Sequence, residues 1–202
     1  TPYCPPMETH PTSPCETLAE RYQALLEVAQ AISVHRDLHA LCQDLAQRLP
    51  RVVHVNFIAL TLHDPVRNTM RLHTVQANVP ADLVGGHESP VEESPAGLVW
   101  QTQQPVLVPD LAEERRWPKV VGHMKEDGAN SFCFVPLTTA VRRLGGMGFL
   151  SLQKEAYGAT DLEFLQQVAK QVAVAVDNVL NFAGAEAAQQ SLARERDRLS
   201  LV

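Results

Sequence analysis

The stretch from Ser94 to Asp110 constrains the fold more than any other part of the chain. Ser94 can accept a hydrogen bond from an unpaired amide of a first helical turn, and Pro95 stands where that turn needs no N–H donor. The helix they open runs through Gly97, Leu98, Val99, Trp100 and Gln101 to about Thr102, and Pro105 ends it. Val106-Leu107-Val108 follows as a brief apolar strand. A short helix is thus delivered straight into a strand.

Two helices precede any strand. Leu18, Tyr22, Leu25, Ala29 and Ile32 recur at spacings of four, three, four and three, one apolar seam along a helix. Asp37 can cap a second helix whose buried stripe is Leu38, Leu41, Cys42, Leu45 and Leu49, ended by Pro50. Val53 to Leu62 is rich in β-branched and apolar residues, Asp64-Pro65 and Asn68 supply turn chemistry, and Met70 to Gln76 alternates as a hairpin partner. Gly85-Gly86 and the polar run through Glu93 form a loop. Trp117-Pro118 opens a further short helix that ends near Asp127-Gly128. Phe132 to Thr139, a turn around Gly145-Gly146, and Met147 to Gln153 make a last hairpin. Thr160-Asp161-Leu162-Glu163 reads as a capping box at the start of the final helix.

In that helix Leu162, Leu165, Ala169, Val172, Val176, Val179 and Ala183 alternate spacings of three and four, the pattern of a coiled-coil seam. The alternative is that residues 162–179 only cover the sheet of their own domain. After a phase slip the seam resumes at Ala185, Ala188, Leu192, Leu199 and Val202, with Arg194 to Arg198 as a charged, solvated face. Beyond Ala183 no sheet is left to cover. The chain therefore divides into a disordered, Pro-rich tail over residues 1–16, one domain over 17–183, and over 184–202 the start of a helix leading to another module.

Composition and motifs narrow the function classes. A formal net charge of -6 removes the attraction that drives binding to a phosphate backbone, so no direct contact with nucleic acid is expected. No run approaches the ~20 apolar residues of a membrane span, and the first residues lack the order of a secretory signal. The expectation is a cytoplasmic protein without a membrane partner. Cys4, Cys15, Cys42 and Cys133 are scattered, so they are taken as reduced thiols, with Cys42 and Cys133 as buried hydrophobes. There is no Gly-rich phosphate loop, no Gly-x-Ser-x-Gly elbow and no His-Glu-x-x-His, and the chain is not read as an enzyme. His35 and His39 have the separation of a helical metal pair, but Asp37 starts a helix between them, so no metal is assigned. Asp110, Glu113 and Glu114 read as a solvated loop.

The helix-strand unit, with Ser131-Phe132-Cys133-Phe134-Val135-Pro136-Leu137 and Gly148-Phe149-Leu150-Ser151-Leu152, resembles the GAF family of sensory domains over about residues 20–183. The resemblance implies a mixed α/β (α+β) fold: a central antiparallel sheet, helices on one face, short roof helices on the other, and a long C-terminal coiled-coil helix. It further implies a pocket on one face of the sheet, roofed by the short helices and the loop over residues 109–130. Family ligands include cyclic nucleotides, tetrapyrroles, haem, non-haem iron and small acids. The Asn-Lys pair of the cyclic-nucleotide signature does not occur here, and Cys133 is followed by Phe134 rather than by the histidine common in bilin binders. No cofactor is assigned.

Under this resemblance His123 falls in the roof and Cys133 in the sheet beneath it. Trp117, beside Arg115 and Arg116, can clamp an anionic ligand or simply pin the lid. Trp117, His123, Cys133, Arg116 and Phe57 are the candidate ligand-contacting residues. The long leading helix, acidic balance and exiting helix look most similar to the N-terminal GAF domains of sigma-54-dependent activators of the formate-hydrogenlyase type. The implied protein is a bacterial signal-transduction or transcriptional regulator: a homodimer that binds a small molecule and relays through its last helix to an output domain. Two alternatives stand beside it. One is an unliganded dimerisation module of a sensor histidine kinase or cyclic-dinucleotide enzyme, its pocket filled by Phe57, Phe132, Phe134 and Phe149. The other is methionine-sulfoxide reduction, which free-standing GAF proteins perform with closely placed cysteines and for which the cysteines here are too sparse.

Overall fold

Six strands form one antiparallel sheet in the order β3-β2-β1-β6-β5-β4. The structure is a computed structural model that describes residues 14–34, 37–77 and 86–199. Helices α1 (Pro14–Val34) and α2 (Leu38–Arg48) lead into β1 (Phe57–Asp64) and β2 (Thr69–Ala77). After β3 (Glu88–Pro90) come α3 (Pro95–Thr102) and β4 (Val106–Val108), then α4 (Pro118–Glu126), β5 (Ser131–Thr138), β6 (Arg143–Ser151) and α5 (Ala159–Leu199). The expected Pro-rich tail lies outside the described residues up to position 13, and α1 takes in its remainder from Pro14.

Local chemistry sets several boundaries as expected. The Ser94 hydroxyl accepts from the Gly97 N–H at 2.9 Å with Pro95 in the first turn of α3, and the Asp37 carboxylate accepts from His39 and Ala40 to cap α2. The final helix begins differently. α5 starts at Ala159, and Asp161 reaches back to the Gly158 N–H at 2.9 Å, so the carboxylate half of a capping box forms around Gly158 rather than Thr160.

Gly145 and Gly146 are not a turn. They lie inside β6, and the β5–β6 reversal runs through Thr139 to Arg142, closed by the Thr139 N–H donating to the Arg142 carbonyl. The glycines are there for close approach: a Cβ on Gly146 would stand 2.8 Å from Val99 and 3.1 Å from Ala96, so its absence lets α3 sit directly on the strand. Two strand positions on, a Cβ on Gly148 would come within 2.4 Å of the Phe134 ring.

The sheet separates two cores. On one face Leu60, Leu62, Cys133, Val135 and Phe149 pack with Val28 of α1, Leu41 and Leu45 of α2, and Leu165, Val168, Val172 and Val176 of α5. The other face carries Phe57, Met70, Phe132, Phe134 and Leu150 beneath α3 and α4. Two expected seams are corrected by this packing. Leu165, Ala169, Val172 and Val176 are 0% exposed within the single chain, so they cover their own sheet and are closed to a partner helix. On α1 the buried positions are Ala24 and Val28, whereas Leu18 and Tyr22 are 55% and 63% exposed. The chosen seam runs partly down the outer side of α1 because one residue of phase turns a helical stripe by about 100°.

Candidate functional site

A cavity of about 270 Å³ opens on the second face, between the sheet and the roof formed by α3 and α4. Its floor comes from strand alternation, which turns every other residue to one side. Phe57, Ala59 and Thr61 of β1, Met70 and Leu72 of β2, Phe134 of β5 and Leu150 of β6 line it. Register brings them together: Phe57 pairs with Leu150, and Ala59 and Phe134 flank Gly148 from either side. The vacant side-chain position at Gly148 is where the Phe134 ring lies.

The roof follows helical spacing. Val120, His123, Met124 and Asp127 fall at i, i+3, i+4 and i+7 and all face the cavity, with Glu126 beside them. Ser94, Pro95 and Ala96 close one side at the start of α3, and His87 and Ser89 close another from β3 and the residues before it. The imidazoles of His87 and His123 stack with centroids 5.1 Å apart, joining the sheet edge to the roof. The floor is buried except for half-buried Leu72, whereas His87, His123, Glu126 and Asp127 are exposed, which places these four at the mouth. Pro118 opens α4 in its first turn, and Trp117 just ahead of it is 4% exposed and packs on Phe132 at 6.3 Å.

The five residues chosen from the sequence are divided by this geometry. Phe57 and His123 line the cavity. Trp117 does not; it is a roof-core residue that pins the start of α4. Arg116 does not line the cavity: its guanidinium lies over the Trp117 ring, 4.3 Å from the centroid, and pairs with Glu114 at 2.6 Å. That hydrogen bond, helped by the Arg116 and Arg115 backbone amides, holds the Glu114 carboxyl down at about 2. Cys133 projects to the opposite side of the sheet, because alternation that turns Phe132 and Phe134 to the roof turns Cys133 to the helices. Burial first, and the charge of Asp161 second, push its thiol up to about 12. Burial, with a smaller effect from Asp37, does the same to Cys42. Both thiols are free and lie in the core shared with α5.

The four phenylalanines do not fill the space. Phe57 and Phe134 wall it, Phe132 packs with Trp117, and Phe149 belongs to the other core. Thr61, Met70, Leu72, His87, Met124, Glu126 and Asp127 were missed, although alternation from Phe57 and helical spacing from His123 would have found most of them. His87 and Ser89 carry no such signal; pairing of Thr69 with Pro90 and of Met70 with Ser89 brings them there.

The family model described as GAF domain matches residues 35–177. The chain belongs to the GAF domain family. Over 192 residues it is 23% identical to the formate hydrogenlyase transcriptional activator FhlA of Escherichia coli strain K12, a match that covers 89% of this chain and 25% of that protein. The chain thus spans about a quarter of the length of the curated relatives it matches. Among solved structures, the GAF domain of a phosphoenolpyruvate-protein phosphotransferase from Coxiella burnetii aligns at TM-score 0.69 and 17% identity, covering 82% of this chain and 98% of that one. A free methionine-R-sulfoxide reductase from Neisseria meningitidis aligns at TM-score 0.65 and 17% identity, covering 85% and 96%. These likenesses establish the fold, an antiparallel sheet with helices on both faces. Among the described residues no helix is long and apolar enough to cross a membrane, and no three His, Cys, Asp or Glu side chains converge to hold a metal ion.

Proposed function

We propose that this GAF domain is the sensory part of a bacterial signal-transduction or transcriptional regulator of the sigma-54 activator type. It binds a small molecule in the cavity beneath α4 and relays occupancy through α5 of a dimer to an output domain. The cavity carries this reading: about 270 Å³ with an apolar floor and a polar mouth, in a fold whose curated relatives are transcriptional activators. A non-catalytic role fits Cys42 and Cys133, which are buried on the other side of the sheet from the cavity.

The sheet supplies a physical route for the relay. Phe134 and Leu150 touch the cavity, while their chain neighbours Val135 and Phe149 share a core with Leu165, Val168 and Val172 of α5. A molecule that binds two arrangements of these strands with different affinity shifts the balance between two positions of α5, and by no more than that difference. The dimer uses the surfaces the domain leaves open: Leu18, Tyr22 and Leu26 at four-residue spacing on α1, and Val174, Phe182 and Leu192 on α5.

Sedimentation velocity tests the dimer. The wild-type chain is expected to sediment as a dimer at tens of micromolar, and Leu26→Lys with Phe182→Lys as a monomer with unchanged circular dichroism. A wild-type monomer at high micromolar concentration overturns the relay.

A further inference from the structure

The charges around the cavity are sorted. Apart from the two imidazoles, the ionisable groups that line it are the carboxylates of Glu126 and Asp127, and no Lys or Arg is among the lining residues. Of the lysines of α4, Lys119 pairs with Glu93 at 3.3 Å, and Lys125 is exposed and does not line the cavity. Arg71, which alternation turns to the other face of β2 between Met70 and Leu72, borders a separate cleft with Arg142, Arg143 and Leu180. Of the two arginines that suggested an anion clamp, Arg116 pairs with Glu114 and lies over Trp117, and Arg115 donates to the Ala112 carbonyl.

A buried polar group points into the same space. Thr61 is 7% exposed, faces the cavity from β1, and its hydroxyl has no hydrogen-bond partner among the described residues. Thr61 pairs with Leu72, whose N–H donates to the His87 carbonyl, so the hydroxyl and the mouth lie at one level of the sheet on neighbouring strands. A hydroxyl that opens on the cavity without a protein partner offers a ligand both a donor and an acceptor.

From this arrangement we infer that the cavity takes a small organic cation: a protonated amine on an apolar body, with a hydrogen-bonding group at its far end. The inference rests on the sensory reading and names its ligand class. The ammonium sits at the mouth between His87, His123 and the two carboxylates. The body lies on Phe57, Met70 and Phe134, and the far hydroxyl meets Thr61. About 270 Å³ is the space of about nine waters at ~30 Å³ each, which suits a molecule of about ten non-hydrogen atoms. A carboxylate or phosphate there would be desolvated with no cation to pair it, beside two groups of its own sign, in a chain of net charge -6.

Three probes of nearly one shape test the charge: tyramine, the neutral tyrosol and 4-hydroxyphenylacetate, titrated by calorimetry into the whole chain at pH 8. Tyramine is expected to bind at least tenfold tighter than tyrosol, and the acid to show no heat of binding. Glu126→Gln with Asp127→Asn should remove the advantage of tyramine and leave tyrosol unchanged. Thr61→Val, which keeps the side-chain shape, should weaken both by a similar factor. Equal or tighter binding of the acid overturns the proposal, as does a tyramine advantage that survives neutralisation of both carboxylates. Acid binding that Ala59→Leu abolishes would keep the cavity as the sensory site while overturning its charge class; if Ala59→Leu fails to fold, loss of acid binding in Thr61→Val gives the same reading. No binding by any probe overturns the ligand class and leaves the dimer relay to its own test.

Discussion

On one side of the sheet Leu60, Cys133, Val135 and Phe149 meet Leu165, Val168 and Val172 of α5, and each is 0% exposed; on the other, side chains of the same strands wall a cavity of about 270 Å³. Protein interiors are otherwise packed about as densely as organic crystals. A void of this size at ~24 cal/mol per Å³ corresponds to about 6 kcal/mol if it were sealed and dry, comparable to the whole net stability of a small domain. Because the mouth admits water, that is an upper bound. One face is thus built for stability, and the other gives up part of it to keep a space.

The sharpest way to break this contrast is to place a charge in the helical core. Val172→Asp buries a carboxylate without a partner at a 0% exposed position and should cost several kcal/mol, abolishing the cooperative urea transition. A variant that stays folded but loses its dimer would instead return Val172 to an intermolecular seam. Matched small-to-large changes come next in size. Ala173→Leu on α5 overpacks a filled site and should cost about 1–3 kcal/mol, whereas Ala59→Leu grows into the cavity and should cost less than about 1 kcal/mol in the urea midpoint. Equal costs would mean that the cavity does not persist in solution.

The thiols give a pH test of the packed face. Their folded values, raised to about 12 from 9.0, favour the protonated form in the native state. Their contribution is therefore full below the ordinary value and is lost as pH rises from about 9 through about 12. That contribution should be constant up to the window and fall within it, so the alkaline loss of stability should be less steep in Cys133→Ala, and native protein should resist alkylation at both sites. The smallest effect belongs to the roof exterior. Glu114 contributes above 4.5 and loses its contribution as pH falls through about 2, so Arg116→Ala should flatten that acid limb. At neutral pH it should cost under about 1 kcal/mol, because the guanidinium is 53% exposed and screened.

How far the sequence could be read depends on the range of the interaction involved. The caps at Ser94 and Asp37, the stop at Pro105 and the hairpin partner over Met70 to Gln76 are set by residues within a few positions of each other and stood where expected, whereas β1 begins at Phe57 rather than Val53. The Gly145-Gly146 pair misled because a glycine pair signals a turn from its own backbone freedom, while here the reason is the approach of α3 from residues 95–102. The seam of α5 misled for a related reason. A three-and-four spacing is the same whether the apolar stripe meets a sheet or a second helix, and β5 happens to be its partner. Among the site residues, Cys133 was legible as misplaced by alternation alone, whereas the placement of Arg116 off the cavity depends on Glu114 and on the buried pose of Trp117.

By itself, then, the sequence determined the periodicity of each element and the residues able to begin and end it, because these follow from hydrogen bonding and side-chain direction within one or two turns of chain. Only the tertiary structure decided which face of each element is closed. The presence of the cavity, the meeting of Thr61, His87, His123, Glu126 and Asp127 around it, and the absence of any lining Lys or Arg arise from six segments far apart in sequence. Their juxtaposition is fixed by strand register and by the seating of α3 and α4, and neither is written in local spacing.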